Sequence, residues 1–187
     1  MGIALIVLLV LLGILVVIAL WGVGIYNSLV TLRQAVKNAW AQIDVQLKRR
    51  HDLIPNLVNT VKGYASHEKD TLERVISARA RATSATLPAD RIKAEGELTS
   101  SRARLLAVSE AYPELKANQN FLSLQNELTS TEDRIAMSRQ GYNDTVTRLN
   151  TAIQVFPNVI IAGMFGIKEE PFFEAPAEER EAPKVQF

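Results

Sequence analysis

The sequence has no cysteine and only two histidines, His51 and His67. The first absence excludes a disulfide framework, thiolate zinc sites and thiol catalysis. The second leaves few groups that titrate near neutral pH. No P-loop, G-x-G-x-x-G or G-x-S-x-G pattern occurs. The two histidines are sixteen residues apart, so neither His-x-x-x-His nor His-Glu-x-x-His is present. Glu127, Glu132 and Asp133 lack the Glu-x-x-His pairing of a di-iron bundle. The expectation is a chain with no catalytic, cofactor-binding or metal-ligating residues, and so no enzyme. Twenty-one basic residues face twenty acidic ones, a net charge of +1. That balance gives no overall attraction to nucleic acid.

Charge is missing altogether from residues 3–25, which are Ile, Leu, Val, Ala, Gly and one Trp. At about 1.5 Å per residue such a helix runs roughly 34 Å, enough to cross a hydrocarbon core of about 30 Å. A cleaved leader fits poorly, because its apolar core would be shorter and would follow a basic segment. Trp21 and Tyr26, near the end of the stretch, suit an interfacial aromatic belt. The flanking cations Arg33 and Lys37 place the bulk of the chain in the cytoplasm by the positive-inside rule, with the N-terminus outside. Only these two lie close to the membrane end, so the opposite topology stays open.

Beyond the anchor the chain reads as helices. Leu29, Leu32, Val36, Ala39 or Trp40, Ile43 and Leu47 recur at spacings of three and four, one stripe of a helix that continues the anchor. At Asp52 and Pro55, either Asp52 caps a new helix or Pro55 kinks a long one. The stripe resumes at Leu57 or Val58, Val61, Tyr64 or Ala65, and Leu72, and runs on to Arg79. Residues 83–89 read as a loop. A second helix is expected from about Pro88 to Ala111, ended by Tyr112-Pro113. The clearest seam is Phe121, Leu124, Leu128, Ile135, Tyr142, Val146, Leu149 and Ile153, heptad-like over four to five heptads. The fold class that follows is all-α: a single N-terminal transmembrane helix continuing into an antiparallel bundle of long helices. The domains are an anchor over 1–26, a bundle over 27–167, and a Pro- and Glu-rich acidic tail over 168–187 with a disordered composition.

Two segments could carry contacts. Lys48, Arg49 and Arg50, with His51 beside them, could meet anionic headgroups or a protein partner; the plainer reading is a solvated helix face. Val159, Ile160, Ile161, Met164 and Phe165 belong to an apolar run too short to span a bilayer. It either folds back as core or forms an exposed patch for the membrane or a neighbouring subunit. Asn56, Asn59, Asn118, Asn120, Asn126, Asn143 and Asn150 interrupt helical stretches, as caps or as polar points between helices.

Several runs together resemble the LemA family. These are Tyr26-Asn27-Ser28-Leu29-Val30, then Ala39-Trp40-Ala41-Gln42-Ile43-Asp44-Val45-Gln46-Leu47-Lys48-Arg49-Arg50, and Asp52-Leu53-Ile54-Pro55-Asn56-Leu57-Val58. Val61-Lys62-Gly63-Tyr64-Ala65 followed by His67-Glu68 continues the likeness. So do Tyr112-Pro113-Glu114-Leu115-Lys116-Ala117-Asn118, Asn120-Phe121-Leu122, Thr131-Glu132 and Phe156-Pro157. The likeness covers residues 2–173. It implies a bacterial single-pass protein of the inner membrane with a helical bundle, a very short N-terminus outside, and links to envelope and stress processes. It implies no established enzymatic activity or ligand. A magnetosome-associated relative implies membrane shaping. The leading expectation is a homo-oligomer that organises or remodels the membrane, with membrane lipids as partners. The alternative is an adaptor that presents its bundle to a protein partner.

Overall fold

A computed structural model describes residues 2–86 and 88–173; among them every regular element is a helix. Helix α1 is Gly2–Tyr64, α2 Lys69–Ser84, α3 Pro88–Ser109, α4 Pro113–Lys116, α5 Gln119–Gln154 and α6 Asn158–Met164. The chain divides into two compact units. Of the described residues, one takes 2–41 and 140–172, the other those of 42–139 together with Phe173. Helices α1 and α5 contribute to both.

In the second unit, the end of α1, the α2–α3 hairpin, α4 and the first part of α5 share one core. Ile54, Leu57, Val61, Val75, Leu98, Leu105, Leu115, Phe121 and Leu128 are buried in it. A three-residue connection joins α2 to α3 and fixes them as antiparallel neighbours. The alanines Ala78, Ala82 and Ala94 keep that hairpin close. Asn118 caps α5: its Oδ1 accepts the Phe121 N–H at 3.0 Å, the contact an N-cap side chain makes to the third helical amide.

In the first unit, Leu29 and Val36 of α1 are buried, as are Tyr142, Val146, Leu149 and Ile153 of α5. Trp40 meets Tyr142 edge-on, with ring centroids 5.3 Å apart. Helix α6 follows the Val155-Phe156-Pro157 turn. It ends in a Schellman motif, with the Ile167 N–H on the Ala162 carbonyl (2.9 Å) and Gly166 at φ 64°. That backbone conformation costs glycine nothing sterically.

The expected stripes and seam hold. All the seam residues are buried except Leu124, which is half-buried against the core. Of the two readings at Pro55, one long helix through the proline is the one observed: Pro55 lies inside α1, and Asp52 caps no new helix. One boundary differs from expectation: the stripe read across residues 57–79 is broken at 65–68, between α1 and α2. There the Glu68 N–H turns back to the Ala65 carbonyl at 3.1 Å. The apolar spacing survives because Ala65, just past the end of α1, and Leu72 of α2 face the same core.

The acidic tail expected over 168–187 lies outside the described residues beyond Phe173. Residues 168–172 run along α5. The Asn150 amide donates to the Glu170 carbonyl at 2.9 Å and accepts the Glu170 N–H at 3.0 Å. The Tyr142 hydroxyl donates to the Pro171 carbonyl at 2.9 Å. In the other unit, Phe173 is buried with the Arg139 guanidinium over its ring, 4.5 Å from the centroid.

Pro55 is tolerated for a visible reason. It has no N–H, so the carbonyl of His51, four residues earlier, loses its helical donor. The Arg79 Nε–H of α2 supplies one at 2.7 Å. Arg79→Met should therefore cost about 1–3 kcal/mol, the penalty of an orphaned part-buried carbonyl. Pro55→Ala restores a helical amide, and in that background the same substitution should cost under about 1 kcal/mol. A double-mutant cycle on thermal unfolding of the full chain in detergent measures the coupling; additive costs would refute the account.

Candidate functional site

Two places hold chemistry or surface that a plain helical bundle does not require. The first is the apolar end of the first unit. From Ile3 to Val23 the large apolar side chains of α1 are exposed, Trp21 at 58% among them. This is the one helix among the described residues long and apolar enough to cross a membrane. Helix α6 lies against the last turns of the apolar stretch of α1, at Gly22 and Tyr26. The Tyr26 and Phe165 rings sit 4.5 Å apart, and the Ile161 Cδ1 lies 3.7 Å from where a Gly22 β-carbon would be. Ala162 is buried, and Ile161 is half-buried. Val159, Ile160, Met164 and Phe165 are exposed at 44%, 54%, 73% and 57%, with Phe156 at 79% beside them. The run thus divides by face: one side is packed and the other is bare. An open concavity of about 610 Å³ lies on this unit, lined by Ile153, Val159, Gly163, Ile167, Lys168 and Glu169 among others. Tyr26 is half-buried against Phe165, whereas Trp21 projects freely.

The second place is a buried ionic layer in the other unit. Arg50, expected at a lipid or partner surface, is only 1% exposed. Its Nη2 bonds Glu95, itself fully buried, and its Nη1 donates to Glu132 at 3.1 Å and to Thr99 at 3.2 Å. The His51 Nε2 is 2.8 Å from the other Glu95 oxygen. Arg102 reaches Glu132 at 3.2 Å. The candidate contact set is corrected on this point: Arg50 faces the core because it stands on the α1 stripe, three residues after Leu47 and four before Ile54. Arg49 is half exposed and paired with Glu127, and Lys48 is exposed. These three cations form neither one patch nor one solvated face.

The layer missed by composition had a trace in the spacing. The α5 seam jumps seven residues from Leu128 to Ile135, and the position between them is Thr131, 1% exposed, with Glu132 beside it. On α3 the stripe Arg91, Glu95, Leu98, Arg102, Leu105 has the same period with charges built in. A charged residue at a core position of one helix is readable only when its partner on another helix is known. Burial pushes the His51 imidazole down from 6.5 to about 4, helped by Arg50, Arg91 and Arg79. It is neutral at pH 7 and serves as a hydrogen-bond partner of Glu95. With Glu95 already held by Arg50, the pair has no carboxylate left to ligate a metal. Burial also lowers the Arg50 pKa, against the opposing pull of Glu132.

The exposed apolar helix on an all-helical frame is that of a membrane-associated protein. Known families agree. The LemA family model matches residues 39–187, and the chain belongs to that family. It is 26% identical to the protein LemA of Metamycoplasma hominis, over 84% of this chain and 73% of that one. It is 25% identical to the magnetosome protein MamQ of Magnetospirillum gryphiswaldense, and equally to a MamQ of Paramagnetospirillum magneticum. Each of those alignments covers 81% of this chain and 66% of the relative. None of these names is that of an enzyme.

Two outcomes test the layer. Arg50→Met strands the buried Glu95 carboxylate and should cost about 3–5 kcal/mol, whereas Arg50→Met with Glu95→Leu should recover most of that. Urea unfolding followed by circular dichroism reads both. For His51, the unfolded imidazole binds a proton at 6.5 and the folded one only near 4. Its contribution is therefore complete above pH 6.5 and lost as pH falls from 6.5 to 4, a change on the order of 3 kcal/mol. Stability measured between pH 7 and 4 should slope less steeply in His51→Gln; an unchanged slope would assign the acid sensitivity elsewhere.

Proposed function

We propose that this is a membrane-anchored, non-enzymatic helical protein that self-assembles and organises or remodels the bacterial inner membrane. The observation that carries this reading is the uncovered apolar surface of the first unit, where the bare faces of α1 and α6 adjoin. Monomeric soluble proteins rarely leave so much apolar surface unpaired. Lipid and further copies of the chain are the partners that such a surface accepts, and a charge-balanced sequence offers nothing to nucleic acid. The magnetosome relatives support a role at a shaped membrane. Arg33 and Lys37 favour a cytoplasmic bundle with the N-terminus outside.

The adaptor reading stands second. Its basic contact set reduces to Lys48 and a half-exposed Arg49 already paired with Glu127.

Multi-angle light scattering of the full chain in mild detergent, followed by electron microscopy, is the test. A regular assembly of many copies is expected. A strict monomer at all concentrations would end the assembly reading and favour the adaptor.

A further inference from the structure

The first unit fixes how deep α6 sits. Two contacts set its register on α1: Ile161 against Gly22, and Phe165 against Tyr26. From one contact to the next both helices advance by four residues. Helix α6 therefore climbs in the same direction as α1, alongside its last apolar turns. At about 1.5 Å per residue, Asn158 at the start of α6 stands about level with Ala19, and Phe156 no shallower. Residues 19–25 lie within the charge-free stretch that ends at Ile25. The whole of α6 thus lies level with residues 19–25 of the membrane-crossing segment.

The chemistry of the segment suits that depth. Residues 155–167 carry no charge, and the first ionisable side chain after the segment is Lys168. Thirteen residues are too few to cross, but are the length of a segment that enters one leaflet and returns. Helix α6 satisfies most of its backbone internally, and the Schellman motif closes carbonyls at its end. Ala162 is buried and Ile161, against α1, is half-buried, whereas Phe156, Ile160 and Met164 are bare.

We propose that residues 155–167 form a re-entrant wedge in one leaflet, with Phe156, Ile160 and Met164 in contact with lipid acyl chains. The bare face is continuous with the exposed face of the membrane-crossing helix, so the same lipid bathes both. The wedge widens the protein's cross-section in one leaflet only, which gives a membrane-organising protein a means of bending its bilayer. The inference rests on the membrane reading of α1, but not on self-assembly.

A chain without cysteine allows single labels. Full-length Phe156→Cys and Ile160→Cys proteins would carry a bimane fluorophore in phosphatidylcholine vesicles. Val17→Cys in the apolar helix and Ile76→Cys, half exposed on α2, serve as references. All four side chains lie about half exposed or more, so the substitutions remove little packing, and thermal unfolding of each variant checks this. Acyl-brominated lipid should quench labels 156 and 160 several-fold more than label 76, and as strongly as label 17. Quenching of 156 and 160 by aqueous iodide at the level of label 76 would overturn the wedge. Shielding from both quenchers would overturn it too, because a second copy would then be the occupant. Light scattering on the same proteins separates the two ideas: lipid-quenched labels on a monomer uphold the wedge and end the assembly reading.

Discussion

The Arg50–Glu95 pair constrains the second unit more than any apolar contact does. Both groups are almost wholly removed from water. Their mutual attraction roughly offsets the cost of desolvating them, so the pair adds little net stability over an apolar pair of the same volume. What it adds is intolerance of misalignment. If α1 slid by one turn against α3, Arg50 would face an apolar layer and Glu95 would lose both its donors. Thr99, Glu132 and Arg102 extend the same demand to α5, and His51 shares the Glu95 carboxylate. Leucines and valines above and below the layer could interdigitate in several registers. The charges accept one.

Much of the fold was legible because helical periodicity is written in single residues. The α1 stripe and the α5 seam came from spacing, the anchor from an uninterrupted charge-free run, and the extent of α3 from the loop before it and Tyr112-Pro113 after it. What stayed hidden depends on pairs. Arg50 looked like one of three exposed cations because Lys48 and Arg49 precede it directly, and nothing local marks its partners 45 and 82 residues away. At Pro55 a new helix and one long helix stayed open as alternatives, because the donor that replaces the missing N–H comes from Arg79, 24 residues on. The break at 65–68 left the apolar rhythm intact, since the chain re-enters the same core. Asn118 and Asn150 were flagged only as polar interruptions. One proves to be a cap and the other a backbone partner, roles that helical propensity does not distinguish.

At the apolar end of the first unit the physics reverses. There, surface that would be a liability in water is the property that fits lipid. Gly166, at φ 64°, turns the chain away before Lys168. The division of α6 into one packed and one bare side explains why the sequence alone left core and patch as competing readings: the segment is both.

The fastening of residues 168–172 has a consequence for how this family can vary. Asn150 grips Glu170 through its carbonyl and amide, and Tyr142 takes the Pro171 carbonyl. These three bonds reach only the main chain. Side chains along the strip are not inspected by them, and the sole residue they exclude is a proline at position 170, which would have no N–H to give. Through these bonds selection falls on Asn150 and Tyr142, and a side chain of the strip is constrained only where it is itself held, as Glu169 is by the Gln154 amide at 2.8 Å.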